Sequence, residues 1–367
     1  MIGIFILSVP LIKAQNKHPE PKTLSPGASA PDFRLKGVDD KIYTLADFSA
    51  SKVLVVVFNC NHCPTAQAYQ DRLIDFNNKY KSKGVALVVI SPNSSKSLNL
   101  WEQGWSDLGD EFEDMKIRAK DKGYNFPYLY DGETQSASIE YGPVATPHAF
   151  VFDKNRILQY VGCIDPSMEN GKAETLSKAV DAVLEGRKPE NQVTKVFGCS
   201  TKWAWKTAET EKLYKQWSEL PVSIDNIDAA GIKDLVKNNS EKLRLINVWA
   251  TWCGPCVMEF PDLVIIDRIY RSRQFEFISV NADKLSKKEN VLKFLQKNEA
   301  SNKNYIFSSD NNSELVDAID PEWSGALPYT MLVEQGGKVI YRIQGPVNTI
   351  ELRKLIVNDR YIDGVSK

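Results

Sequence analysis

Two apolar runs set the tightest limit on how this chain can fold, the first continuous after its Lys and the second interrupted by Arg244 and Asn247. They are Lys52-Val53-Leu54-Val55-Val56-Val57-Phe58 and Leu243-Arg244-Leu245-Ile246-Asn247-Val248-Trp249. A β-branched, apolar run without polar alternation is the pattern of a strand buried on both faces, which requires helices above and below its sheet. Each run leads directly into a Cys-x-x-Cys pair, Cys60/Cys63 and Cys253/Cys256, and each pair opens a segment with helical patterning, over 65–81 and 256–271. Further strands are expected at 84–90, 128–130, 148–152 and 157–161 in the first half. In the second half they are expected at 275–281, 305–308, 330–333 and 338–343. The same plan therefore occurs twice: strand, Cys-x-x-Cys, helix, strand, then a Pro-bearing loop entering a pair of strands. It repeats as architecture, not as close identity.

A chain of 367 residues exceeds one ordinary core, so two domains fit the repeat. Expected boundaries are 25–187 and 222–367, joined by a segment over 188–221 whose Trp205, Leu213 and Trp217 form one helical stripe. Lys and Arg total 46 against 47 Asp and Glu, and no basic stripe is present, which argues against nucleic-acid binding. The apolar run Ile2–Ile12, followed by Lys13-Ala14-Gln15, reads as a secretory signal over 1–15, although the usual preceding basic residues are absent. A polar, Pro-bearing linker over 16–24 follows. The expected location is exported, periplasmic or otherwise extracytoplasmic, with no stable membrane insertion after cleavage.

Six cysteines are too few for a disulfide-stapled scaffold, so their placement carries the meaning. Four thiolates in two close pairs also suit zinc, but the pairs lie far apart and each opens a helix instead of a knuckle turn. No metal or other cofactor is expected. At a helix N-terminus, unpaired N–H groups and the positive end of the dipole favour a thiolate on the first Cys. The second, one turn on, can resolve a mixed disulfide. Gly254-Pro255 suits that first turn. His62, inside the first pair, can stabilise a neighbouring thiolate. His148 is open between flanking that pair and lying on the sheet.

Residues 222–367 resemble the thioredoxin superfamily, and more closely its exported TlpA/ResA-like branch. The resemblance rests on Asn247 to Cys256, on Met258-Glu259-Phe260-Pro261 and on Leu327-Pro328-Tyr329-Thr330. It implies attack by Cys253 beside Trp252, resolution by Cys256, a cis Pro328 packed against the pair, and Leu327 pairing with substrate backbone. Asn247 stands where thioredoxin carries a buried Asp, which leaves the proton acceptor unassigned; Glu259 is expected to be solvated.

Residues 25–187 are similar to peroxiredoxin-like AhpC/TSA or redoxin domains. The carrying residues are Ala30-Pro31-Asp32-Phe33, Thr44 to Phe48, Phe58 to Thr65, and Ala145-Thr146-Pro147-His148. Cys60 replaces that family's Thr, and no Arg falls near 145–150. Disulfide exchange through Cys60 and Cys63, with Thr146 and Pro147 in support, therefore fits better than peroxide reduction. Which of the two thiols attacks stays open. Cys163 and Cys199 are possible extra thiols that could bond each other, or Cys199 could exchange with the Cys60/Cys63 pair.

The expected fold class is thus α/β, two tandem thioredoxin-like folds, each a central mixed sheet flanked by helices. The expected function is exchange of electrons with protein disulfide or dithiol partners, supplied by an upstream electron donor. Three other readings remain: a peroxidase with the second domain as its reductant, a binding module or chaperone without redox chemistry, and a dedicated cytochrome-maturation reductase.

Overall fold

The computed structural model describes residues 18, 20–167 and 171–359; the expected signal over 1–15 lies outside them. The first domain contains β1 (Arg34–Gly37), β2 (Ile42–Thr44), β3 (Val53–Phe58), α1 (Pro64–Ala68), α2 (Gln70–Tyr80), β4 (Val85–Ser91), α3 (Phe112–Lys122) and β5 (Tyr128–Tyr130). It continues with α4 (Ser136–Tyr141), β6 (Ala145–Thr146), β7 (His148–Phe152), β8 (Leu158–Gly162), α5 (Glu174–Leu184) and β9 (Cys199–Ser200). Its main sheet runs β2-β1-β5-β4-β3-β7-β8, with β3 parallel to β4 and antiparallel to β7. Every residue of β3 is fully buried. Val53, Val55 and Val57 face Tyr69, Leu73, Phe76 and Tyr80, while Leu54, Val56 and Phe58 face Phe33, Phe150 and Phe152. This is the two-sided burial that the unbroken apolar run requires.

After α6 (Thr207–Ser218) the plan restarts. The second domain comprises β10 (Asp225–Ile227), α7 (Ala229–Lys237), β11 (Leu243–Trp249), α8 (Gly254–Tyr270), β12 (Phe275–Asn281), α9 (Lys288–Lys297), β13 (Lys303–Phe307), α10 (Asn312–Ile319), β14 (Tyr329–Val333), β15 (Val339–Gln344) and α11 (Thr349–Asn358). The sheet order is β10-β13-β12-β11-β14-β15, with β11 parallel to β12 and antiparallel to β14. Leu243, Leu245 and Trp249 pack with Phe260 and Leu263, and Ile246 and Val248 pack with Leu315 and Ile319 on the other face. Both halves thus carry the expected thioredoxin-like plan. A buried central strand ends at the Cys-x-x-Cys, with a parallel neighbour on one side and an antiparallel hairpin on the other.

Several elements differ from expectation. The helix expected over 65–81 is divided at Tyr69 into α1 and α2, and the region 98–105 holds only a short 3-10 turn. The small elements α4, β10 and α10 have too few apolar residues to declare themselves; β10 buries Ile227 alone. Residues 192–204, expected to lie between domains, instead return to the first domain. Val193 bridges Val161, and β9 pairs with β6. The stripe of α6 is only half-buried. Among the described residues no helix is long and apolar enough to cross a membrane.

The domains meet where the loop after β4 lies against α8 and α11. Leu100 packs on the second core, and Arg353 Nη2 donates to Gln103 Oε1 at 3.2 Å. The hydroxyl of Tyr270, a fully buried residue, donates to the Ser106 carbonyl at 2.8 Å. Tyr270→Phe keeps the ring but leaves the Ser106 carbonyl only the longer 3.5 Å contact from Arg353 Nη2, so it is expected to cost about 1 kcal/mol in urea denaturation. An unchanged midpoint would show that this contact does not contribute to docking.

Candidate active sites

In the second domain β11 delivers Ala250 to Cys253 at the sheet edge, and α8 begins at Gly254 with Cys253 as its N-cap. Cys253 and Cys256 form a disulfide, and the Cys256 N–H points at the Cys253 sulfur at 3.3 Å. The loop is pinned by Asp283, which accepts from the Thr251 N–H at 2.8 Å and from its hydroxyl at 2.7 Å. The Leu327–Pro328 bond is cis. Cys253 is only 7% exposed, yet its neighbours Trp252 and Met258 are 67% and 74% exposed. Two apolar side chains close in sequence to the disulfide are thus open to solvent.

Beneath this loop lies a polar pair that sequence reasoning missed. Asn247 is fully buried, and its amide donates to Glu259 Oε1 at 3.1 Å and to Thr330 Oγ1 at 2.9 Å. Glu259, expected to be solvated, is 6% exposed; its other oxygen accepts from the Val347 N–H at 2.9 Å. Burial raises its pKa against those hydrogen bonds. Spacing offers a signal after the fact, since Glu259 is three residues after Cys256 and so follows it on one side of α8.

In the first domain both sulfurs of the pair are buried, Cys60 and Cys63 each at 0% exposure. Cys60 Sγ lies 3.0 Å from Thr146 Oγ1, and Cys63 Sγ lies 3.4 Å from the Thr146 carbonyl oxygen, next to the cis Thr146–Pro147 bond. His62 and Asp110 form a buried pair with Nδ1–Oδ2 at 2.6 Å. Asp110 also accepts from the N–H groups of Asn61 and His62 at 2.8 and 3.0 Å and from Asn93 Nδ2 at 2.7 Å. Burial alone would raise the Asp110 carboxyl, but His62 and these donors hold it at about 2. Burial would likewise lower His62, but the Asp110 carboxylate outweighs it and holds the imidazole pKa above its ordinary value. Asp110 was missed, because nothing local marks a loop carboxylate that acts 48 residues from its partner.

The two thiols are driven apart. Hydrogen bonds from the Cys199 and Cys60 thiols, with the Ala66 N–H and the His62 charge, hold Cys63 far below an ordinary thiol. Burial, and the neighbouring Cys63, push Cys60 up. Of the two thiols, Cys63 is the one whose surroundings favour the ionised form. Cys60, His62 and Asp110 also bring one sulfur, one nitrogen and one oxygen within 4.8 Å of one another. Both Asp110 oxygens already serve two donors each, so the cluster reads as a hydrogen-bonded charge pair.

The remaining residues separate. His148 lies on β7 against Phe150, buried and lowered to about 4 by that burial. Cys163 is buried with Thr194 Oγ1 at 3.4 Å, whereas Cys199 packs on the Cys60/Cys63 pair. The structure thus brings Cys60, Cys63, Cys199, Thr146 and Pro147 together and leaves Cys163 apart.

Residues 26–161 match the AhpC/TSA family model, and residues 232–356 match the Redoxin model. Each half of the chain is thus similar to one of these two families, with neither model reaching half of the chain. Curated relatives include a thiol-disulfide oxidoreductase ResA of Geobacillus thermodenitrificans, 28% identical over 109 residues, covering 30% of this chain and 58% of the relative. A thiol:disulfide interchange protein CycY of Rhizobium leguminosarum is 31% identical over 116 residues, covering 32% and 57%. The chain therefore spans little more than half the length of these relatives. A hypothetical protein from Sinorhizobium meliloti is 33% identical in a solved structure, with TM-score 0.45, covering 50% of this chain and 97% of that one.

Asp110→Asn removes the carboxylate that raises the His62 pKa, and with it one support of an ionised Cys63. The thiolate ultraviolet absorbance of the reduced chain is expected to titrate at higher pH in the variant, by roughly one unit, a tenfold loss of thiolate below the midpoint. An unmoved titration would show that His62 does not act on Cys63.

Proposed function

We propose that the chain is a thiol–disulfide oxidoreductase acting on protein disulfides or dithiols, with Cys253 and Cys256 as its main exchange pair. The observation that carries the reading is a disulfide at the start of α8 with exposed Trp252 and Met258 close to it in sequence. In the reducing direction the Cys253 thiolate attacks a substrate disulfide, forming a mixed disulfide and releasing one substrate thiolate. Cys256 then loses its proton and attacks Cys253, which releases the second substrate thiolate and closes the Cys253–Cys256 bond. An upstream dithiol donor restores the reduced pair, and the reverse sequence oxidises a dithiol substrate.

Glu259 supplies the proton acceptor that Asn247 cannot. It is a buried carboxyl with a raised pKa, one turn after Cys256, oriented by Asn247 and Val347. Leu327, preceding cis Pro328, offers backbone to an extended substrate. The first domain provides a second exchange centre at Cys60 and Cys63, supported by His62, whose pKa Asp110 raises, beside a Cys63 thiol whose pKa is lowered. Exchange with names such as ResA and CycY among the relatives, together with the apolar run over 2–12, favours an exported, extracytoplasmic setting. Peroxide reduction has less support: Cys60 stands in place of the family's Thr, and no Arg falls near 145–150.

The reduced chain is expected to accelerate insulin-disulfide reduction, and Cys253→Ser to lower the rate roughly 100-fold or more, since the attacking sulfur is gone. Equal rates for the two chains would overturn the assignment. Glu259→Gln should keep the fold and blunt the pH dependence of resolution by Cys256. A pH profile identical to that of the parent chain would remove Glu259 from the reaction.

A further inference from the structure

The first site is covered by the chain's own returning strand. β9 runs antiparallel to β6, with Cys199 opposite Thr146 and Ser200 opposite Ala145, on the edge that leads into cis Pro147. The strap is built to lie close. At Gly198, φ is +140°, and a Cβ there would stand 2.0 Å from the Thr146 carbonyl oxygen. Thr201 Oγ1 donates to the Pro143 carbonyl at 2.7 Å, the Lys202 N–H donates to Asn93 Oδ1 at 2.9 Å, and Gln135 Nε2 donates to the Lys202 carbonyl at 2.9 Å. Asn93 is also a donor to Asp110, so the strap and the charged pair share one anchor.

This strap presents a thiol to the pair. The Cys199 N–H donates to Cys63 Sγ at 3.2 Å, and the Cys199 side chain packs on Cys60, Cys63 and Ala66. Cys60 and Cys63 have no exposed surface, whereas Cys199 is half-buried and keeps part of its surface open. A disulfide between Cys60 and Cys63 would leave a partner's thiolate little to attack, because exchange requires in-line access to a sulfur.

We propose that Cys199 is the third thiol of an exchange relay in the first domain, the sulfur at which a dithiol partner meets that site through a transferable Cys63–Cys199 disulfide. The proposal extends the reading of the chain as a disulfide exchanger. Starting from a Cys60–Cys63 disulfide, the Cys199 sulfur attacks Cys63. The Cys63–Cys199 bond forms, the Cys60–Cys63 bond breaks, and Cys60 leaves with the electron pair and takes up the proton that Cys199 gives up. No net oxidation occurs in this step; the disulfide has only moved toward solvent. A partner thiolate then attacks Cys199 and expels Cys63, a good leaving group because its thiolate is stabilised. The partner's second thiol attacks its own sulfur in the mixed disulfide, loses its proton, and releases Cys199 as a thiol. The partner dithiol has lost two electrons, and the Cys63–Cys199 disulfide has gained them.

The test uses the full chain with Cys253→Ser and Cys256→Ser throughout, so its outcome does not depend on whether the second domain reduces insulin. After oxidation with glutathione disulfide and acid quenching, peptide mass mapping is expected to find Cys63 linked to Cys199 when Cys60→Ser is added. With Cys60 present, both the Cys60–Cys63 and Cys63–Cys199 linkages are expected. Cys199→Ser should slow reduction of the oxidised first site by dithiothreitol roughly tenfold or more, because only buried sulfurs remain. Cys199→Ala, checked by near-ultraviolet circular dichroism for an intact fold, should reproduce that loss. Absence of any Cys63–Cys199 linkage in both mapping experiments, or parent-like reduction rates in both Cys199 variants, would overturn the relay.

Discussion

The structure depends on a constraint at the centre of each sheet. β3 and β11 are buried on both faces, so no side chain along them can reach a substrate. Chemistry is confined to the point where each strand leaves the sheet, and each places its Cys-x-x-Cys there. The exit is then fixed by a carboxylate from beyond the neighbouring parallel strand. Asp283, two residues after β12, holds the backbone and hydroxyl of Thr251; Asp110, in the loop after β4, holds the backbone of Asn61 and His62. Two domains with different side chains thus solve the same problem, a buried strand end with unpaired N–H groups, with the same type of anchor.

From that common frame the sites diverge in charge and access. The first adds an imidazole paired with a carboxylate between its cysteines and covers both sulfurs with β9, so its reactivity sits behind a wall made by its own chain. The second has no titratable side chain between its cysteines and has exposed Trp252 and Met258 close to them in sequence. Its carboxyl, Glu259, acts from below the loop instead of beside it. The loop after β4 contributes to both levels of organisation. It supplies Asp110 to the first site, and through Gln103 and Ser106 it holds the second domain. A change in docking would therefore be felt in a segment only a few residues from the His62 partner.

Much of this was legible in the sequence because it follows from local pattern. The apolar runs at 52–58 and 243–249 identify the central strands, and the spacing of Cys253 and Cys256 identifies a helix-start dithiol, while the resemblance to thioredoxins implied the cis Leu327–Pro328 bond that the structure has. What escaped is set by tertiary packing. Asp110 and Glu259 are ordinary acidic residues in sequence, and only burial against His62 and Asn247 gives them roles. The return of residues 192–204 was hidden because β9 is two residues long and carries no alternating pattern. Cys199 had two placements open to it, beside Cys163 or at the Cys60/Cys63 pair, and a contact across 136 residues leaves no local trace to choose between them.

The central claim is that one chain carries two separate redox-active thiol centres. Equilibrating the full chain across a series of glutathione redox buffers and counting reduced cysteines by mass at each poise tests it most directly. The account predicts two distinct two-electron transitions, each following a slope of about 30 mV per tenfold change in equilibrium constant. Peptide mapping should assign one to Cys253 and Cys256 and the other to the Cys60, Cys63 and Cys199 cluster. A single transition confined to Cys253 and Cys256, with the first-domain thiols reduced throughout, would contradict it.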